Sequence, residues 1–191
     1  MVEPRGALCL LCGLPAAGKS SLAQHLLDVG PSRLQAALGV PGVRVWHVCF
    51  DAMMAALEVE AGASSFDPEL WHASRRRALE AVRSHFCGGD AAVDGAALRT
   101  IGGVMHNSSG DDTSTACLDV LVLDDNMHYR SMRRAYFRVA REARLSYCTL
   151  SLPVALEDAV NRDANRPASQ RVGRVTIEQM AETLQVLPRA T

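Results

Sequence analysis

Gly13-Leu14-Pro15-Ala16-Ala17-Gly18-Lys19-Ser20, with Ser21 behind it, is the stretch of this chain richest in chemistry. It fits G-x-x-x-x-G-K-[ST], a loop whose backbone amides cradle phosphates, whose lysine reaches the β- and γ-phosphates and whose hydroxyl meets Mg²⁺. Lys19 is the only lysine in the sequence; the other residues counted as Lys or Arg are all arginine. A guanidinium is a poor substitute at this position, because a compact ammonium on a thin stem must enter a tight backbone nest. The pattern predicts a nucleoside-triphosphate site over Gly13–Ser21, with Lys19 catalytic and Ser20 a metal ligand.

Three further groups fit around such a loop. Asp124-Asp125 follows the apolar run Val120-Leu121-Val122-Leu123, so the pair stands at the carboxyl end of a strand, where carboxylates hold Mg²⁺ directly or through water. An acidic turn ending a strand is the plain alternative. Asp51 ends a second strand-like run. It reads either as a general base orienting an acceptor hydroxyl or as a helix cap for Ala52–Glu60. Arg162 and Arg166 lie four apart just before Pro167. On one helical turn both guanidiniums could close on a transferring phosphoryl group as a lid, continued by Arg171 and Arg174; otherwise they are solvated residues at a helix end. An arginine lid with an acceptor-side aspartate favours a kinase over a GTPase. No N-K-x-D guanine-reading motif exists, since there is no second lysine. The basic cluster Arg75-Arg76-Arg77 and the stripe Arg130, Arg134, Arg138, Arg141 read as solvated faces, or else as a surface tracking a polynucleotide backbone.

These groups need a scaffold that brings them to one edge. The 191 residues suffice for one domain with a proper core; 48% are apolar and 21% charged, a globular mix. A net charge of −1 gives no global basic field of the kind that attracts DNA. No apolar run is long enough to span a membrane. Ala7–Cys12 is a buried strand feeding the loop, and a helix over Lys19–Val29 begins on the loop itself. Val43–Cys49 is the second strand, and Asp67-Pro68-Glu69 opens a helix to Phe86. Cys87–Cys117, rich in Gly, Ser and Asp, reads as a poorly packed insertion without chemistry. Leu118–Asp124, a helix over Tyr129–Ala143, the strand Ser146–Leu152 and a helix over Val154–Asn165 follow. A last helix is capped by Thr176 with Gln179 and carries Ile177, Met180, Ala181, Leu184 and Leu187. Alternating apolar strands and helices predict an α/β domain of the phosphate-loop NTPase type, a parallel sheet covered on both faces.

The run from Arg5 through Ala7-Leu8-Cys9-Leu10-Leu11-Cys12 to Pro15-Ala16-Ala17 imitates a short signal peptide. Cleavage there would destroy the loop, and a strand explains the same residues. The six cysteines fit a reducing, cytoplasmic setting. Cys9 and Cys12, three apart on a strand, point to opposite faces and cannot share a metal.

Three segments together resemble the L-seryl-tRNA(Sec) kinase family: Leu11–Ser20, Val122-Leu123-Asp124-Asp125-Asn126-Met127-His128-Tyr129-Arg130-Ser131-Met132-Arg133, and Asn161-Arg162-Asp163-Ala164-Asn165-Arg166-Pro167. The D-D-N-x-x-Y-x-S-M-R segment is the most specific of them. The resemblance implies ATP and Mg²⁺ as cofactors, seryl-tRNA(Sec) as the substrate, an essential Asp51 and lid arginines at Arg162 and Arg166. It covers most of the chain except Cys87–Cys117. The family often has a second acidic residue where Ala52 follows Asp51, and it continues into a helical tRNA-gripping domain, whereas this chain stops at Thr191. A small-molecule kinase of the same architecture, and a nucleotide-gated accessory protein like the Elongator-associated tRNA-modification factors, are the competing readings.

Overall fold

Strand β1 (Gly6–Cys12) is buried nearly throughout and lies inside a five-stranded sheet, paired on both sides. The computed structural model describes residues 6–62, 67–88, 96–99, 102–109 and 117–184. In chain order the elements after β1 are α1 (Lys19–Leu38), β2 (Gly42–Cys49), α2 (Phe50–Ala61), α3 (Pro68–Cys87), α4 (Ala96–Arg99), β3 (Val104–Ser109), β4 (Cys117–Asp124), α5 (Arg130–Ala143), β5 (Ser146–Ser151), α6 (Leu156–Ala164), a 3-10 turn (Ala168–Gln170) and α7 (Arg174–Thr183). The strand order is β3-β2-β4-β1-β5. Pairing is parallel except at the β2–β3 edge, which is antiparallel.

Alternation along β1 divides the interior in two. Leu8, Leu10 and Cys12 face a core completed by Trp46, Val48, Leu121 and Leu123 from the sheet and by α3 and α5. Cys9 and Leu11 face the opposite layer, with Val43, Val45 and Val122, under Ala23 and Leu27 of α1. Cys9 and Cys12 therefore lie on opposite faces, as their spacing requires. Register aligns the strand ends: Cys49 pairs with Asp124, Leu10 with Leu123, and Cys12 with Ser151. The loops after β1, β2 and β4 consequently emerge along one edge of the sheet.

Four expectations need correction. Helix α1 does not stop near Val29 but runs through Gly30 and Pro31 to Leu38. Proline leaves the carbonyl four residues back, that of Leu27, without its helical donor. Asn107 of β3 supplies one, Nδ2 donating to Leu27 O at 3.0 Å, while Ser109 Oγ donates to Pro31 O at 3.2 Å. Secondly, Cys87–Cys117 is not simply irregular. It contains α4, with Leu98 fully buried in the main core, and β3, which closes the sheet edge. Gly103 at φ +75° makes this turn possible, since a Cβ there would meet Cys49 O at 2.8 Å. The sheet is accordingly mixed at that edge rather than wholly parallel.

Thirdly, α6 begins at Leu156, not Val154. Finally, Thr176 does not cap the last helix. α7 starts at Arg174 with Gly173 as its N-cap residue, and buried Asp163 accepts from Val172 N at 3.1 Å and Gly173 N at 2.9 Å. A carboxylate from α6 thus serves the start of α7, which is why no local capping signal was needed. Leu187 lies outside the described residues. A third small core, Leu14, Ala159, Val160 and Ile177, packs these two helices onto the loop after β1.

Candidate active site

The loop after β1 turns sharply because two residues accept left-handed backbone: Ala16 at φ 59° and Gly18 at φ 93°. Gly13 has a different duty. A Cβ on it would lie 2.7 Å from Leu152 O, so only glycine lets the loop pass the end of β5. Gly18 is the N-cap of α1, whose first amides face the loop interior. Lys19 is buried, and its Nζ donates to Gly13 O at 3.2 Å and Leu14 O at 2.7 Å. Burial lowers its pKa, with Asp124, Asp125 and Asp51 pulling in the opposite direction.

One polar pocket of about 110 Å³ collects most of the expected groups. Pro15, Ala16, Gly18, Lys19, Ser20 and Ser21 form its floor. Asp51, Asp124, Asp125, Asn126, Arg166 and Val172 complete its lining. Gly13 and Leu14 anchor the loop behind it, and Ala17 N closes the turn on Leu14 O at 3.2 Å.

Asp51 stands in the first turn of α2, after the N-cap residue Cys49, and makes no capping hydrogen bond. The cap alternative therefore does not hold. Its side chain lies open at the pocket mouth, yet its carboxyl pKa is raised, first by partial burial and then by Asp125 and Asp124, against Lys19 and Arg166. Asp124 and Asp125 are both buried and point to different partners. Asp124 Oδ2 accepts from His47 Nε2 at 3.0 Å; Asp125 Oδ2 accepts from Arg75 Nη2 at 2.6 Å. A hydroxyl at Ser20 and two carboxylates in one pocket form a hard oxygen set suited to Mg²⁺. His47, Cys49 and Asp124 also offer ligand atoms within 4.8 Å of one another. Imidazole and thiol are softer donors, however, and burial raises the Cys49 thiol pKa.

The arginines divide. Arg166 lines the pocket, whereas Arg162 is exposed on α6 and does not. The expected shared helical face fails because α6 ends at Ala164, leaving Arg166 beyond its C-cap, 3.7 Å from Asp163 Oδ1. Arg171 bonds Arg166 O through its Nε at 2.7 Å, and Arg174 is occupied by Glu157 and Glu178. The stripe Arg130, Arg134, Arg138 and Arg141 is exposed, as are Arg76 and Arg77.

Sequence reasoning missed Arg75, Arg133, His47 and Asp163. Arg75 was grouped with its exposed neighbours. It instead lies over the Trp71 ring at 3.5 Å and reaches Asp125. Only the helical phase of α3 distinguishes it from Arg76 and Arg77. Arg133, the last residue of the D-D-N segment, is buried, and its Nη1 donates to Met127 O at 2.6 Å. That bond holds the turn after Asp125, where Met127 sits at φ 44°, and Gly13 N donates to Asn126 O at 3.2 Å to join this turn to the phosphate loop.

No family model matches the chain. In an alignment of 204 positions, gaps included, that covers 93% of its length, it is 27% identical to the L-seryl-tRNA(Sec) kinase of Homo sapiens. In one of 214 positions that covers 96% of its length, it is 27% identical to that of Mus musculus. Both alignments cover 55% of the relative, so the chain spans about half the length of the curated relatives it matches. Among solved structures, Kti12 of Chaetomium thermophilum in complex with ADP-AlF3 has a TM-score of 0.55 at 20% identity, over 96% of this chain and 83% of that one. A chain of the Pnkp1/Rnl/Hen1 RNA repair complex has a TM-score of 0.59 at 16% identity, over 96% of this chain and 45% of that one. The chain has the phosphate-loop α/β fold, and its sequence is similar to L-seryl-tRNA(Sec) kinases.

Proposed function

We propose that this chain is the catalytic core of an ATP-dependent kinase that phosphorylates the seryl hydroxyl of seryl-tRNA(Sec). The observation that carries the kinase reading is a single pocket lined by Lys19, Ser20 and the raised-pKa carboxyl of Asp51. Similarity over nearly the whole chain to L-seryl-tRNA(Sec) kinases supports the acceptor.

In this reading the loop amides and Lys19 hold the β- and γ-phosphates. Bound Mg²⁺, held through Ser20 and Asp124 or Asp125, would neutralise phosphate charge. Asp51 accepts the proton of the acceptor hydroxyl as its oxygen bonds to the γ-phosphorus and the bond to ADP breaks. A carboxyl pushed above the ordinary range is a better proton acceptor, provided it is ionised at working pH. Arg166 meets charge developing on the transferred oxygens. His47 and Arg75 fix the two strand-end carboxylates.

ATP turnover is measured with and without seryl-tRNA(Sec), following label from the γ-phosphate. Transfer to the seryl group is expected. The fold similarity to Kti12 keeps one rival in view: stimulation of hydrolysis by any tRNA without transfer would make the chain a nucleotide-gated accessory protein. Transfer to a free small alcohol alone would make it a small-molecule kinase.

A further inference from the structure

Cys9 of β1 and Cys148 of β5 are direct partners in the parallel register of the two strands. Residues paired in this way project from the same face of a sheet. Their side chains meet, the Cys9 thiol donating a hydrogen bond to the Cys148 sulfur. The two differ in access. Cys9 is buried in the layer formed with Leu11, Ala23 and Leu27, whereas Cys148 is exposed on β5, the outermost strand on that side of the sheet. Cys87 is exposed as well, but its charged neighbours are Glu142 and Arg83, with no second thiol.

The contact sorts the two sulfurs by role. The hydrogen bond from Cys9 holds the Cys148 thiol below its ordinary pKa, against its partial burial; the same bond and then burial raise that of Cys9. The solvent-facing sulfur therefore carries the thiolate character that oxidants attack, and the buried one keeps its proton.

We infer that Cys148 and Cys9 are a peroxide-sensitive pair, oxidised to a cross-strand disulfide that loosens the hold of the phosphate loop on its nucleotide. The Cys148 thiolate attacks hydrogen peroxide. An S–O bond forms, the O–O bond breaks, and the departing hydroxide takes up a proton as water, leaving a sulfenic acid. The Cys9 sulfur then attacks the Cys148 sulfur. The S–S bond forms as the S–O bond breaks, and the second hydroxide leaves as water with the Cys9 proton. Two thiols and one peroxide thus give one disulfide and two waters.

The bridge acts on the loop through the strand spacing. Paired strands lie about 4.7–4.9 Å apart, whereas a relaxed disulfide holds its Cβ atoms about 3.5–4.5 Å apart, so β5 is drawn towards β1. There is no slack to absorb this. Leu152, directly after β5, donates its N–H to Cys12 O at 2.8 Å, and Gly13 passes so near Leu152 O that a Cβ would lie 2.7 Å from it. Lys19 Nζ in turn rests on Gly13 O at 3.2 Å. The inference needs the nucleotide site but no particular acceptor.

The test treats the reduced chain with equimolar hydrogen peroxide, alkylates it and maps its peptides by mass spectrometry. A Cys9–Cys148 link within one chain is expected, lighter by two hydrogens and reversed by dithiothreitol. Affinity for a non-hydrolysable ATP analogue should fall about tenfold on oxidation and return on reduction. Cys148→Ser and Cys9→Ala should each bind the analogue equally before and after peroxide. Oxidation of Cys148 that stops at the sulfinic acid, links only between chains, or a Cys9–Cys148 link that leaves affinity unchanged overturns the inference. Should Cys9→Ala fail to fold, Cys148→Ser decides alone, since its side chain is exposed. The kinase reading is scored apart, by seryl transfer in the reduced chain. Transfer without any peroxide effect removes this inference only; the peroxide effect without transfer removes that reading only.

Discussion

Lys19 binds the carbonyls of its own loop and adds nothing to the apolar cores, so its loss should spare the fold. Lys19→Ala and Lys19→Arg are expected to abolish phosphoryl transfer with an unchanged circular dichroism spectrum; near-wild-type turnover in either would remove the site assignment. Asp51 offers a sharper test, because function and stability pull apart. Its folded pKa is raised, so the ionised form is disfavoured on folding: the penalty is full above the folded pKa and vanishes below the unfolded one. Asp51→Asn should therefore raise the melting temperature at pH 7, with the gain fading on acidification, while transfer falls by about two to four orders of magnitude. Lost stability with retained activity would contradict both halves. For the arginines, Arg166→Lys should cost about a hundredfold in kcat with nucleotide affinity little changed, because a point charge lacks the planar fork. Arg162→Lys should cost less, as its side chain lies outside the pocket; equal losses would mean that closure brings both in. The loop, Lys19 and the strand-end aspartates were legible because their chemistry is tied to short fixed spacings. Arg75 and Asp163 were not, because their partners lie 50 and about ten residues away, at Asp125 and at Val172 and Gly173.

Among the elements, β4 is the one that organises its neighbours. Near its start, buried Asp119 accepts from Arg44 Nε at 2.8 Å and Nη2 at 2.9 Å, from Trp46 Nε1 at 2.9 Å and from His85 Nε2 at 3.1 Å. Burial alone would raise this carboxyl's pKa; the hydrogen bonds from His85, Arg44 and Trp46 outweigh it and hold the pKa below the ordinary value. Asp119→Ala leaves the buried Arg44 charge without this carboxylate and should destabilise by about 3–5 kcal/mol in urea denaturation. With a depressed folded pKa, that contribution is complete above about pH 3.9 and is lost as pH falls through the folded value. The gap between wild type and variant should therefore narrow only in strong acid; a gap independent of pH would show packing, not charge, at work. Strands β1, β2 and β4 and most helices were readable from apolar periodicity. Strand β3 was not: Val104-Met105-His106-Asn107-Ser108-Ser109 is an edge strand of mixed polarity, and its pairing is set by contacts with α1 that lie far off in sequence.

For the whole molecule, alternating strands and helices revealed a phosphate-loop fold, and the antiparallel edge and the small core under α6 and α7 emerged only from tertiary packing. Ligand linkage gives a global readout. A non-hydrolysable ATP analogue at a hundred times its Kd should stabilise the chain by about 2.7 kcal/mol, and the melting shift should vanish in Lys19→Ala; an equal shift in the variant would place the nucleotide elsewhere. The two attachments of α3 to β4 have a mechanical meaning. His85 ties the C-terminal end of the helix to Asp119, and Arg75, well inside its first half, ties it to Asp125, so α3 is riveted at two points to the central sheet. A bar fixed at two points can neither swing nor slide. On the proposed kinase reading the acceptor-side jaw would then be an anvil, and the travel that grips and frees a substrate would belong to the opposite jaw, α6 and α7, which rests on Leu14 of the phosphate loop through a core of its own. Amide hydrogen exchange should then be slow along α3 and quicken only in α6 and α7 when nucleotide leaves.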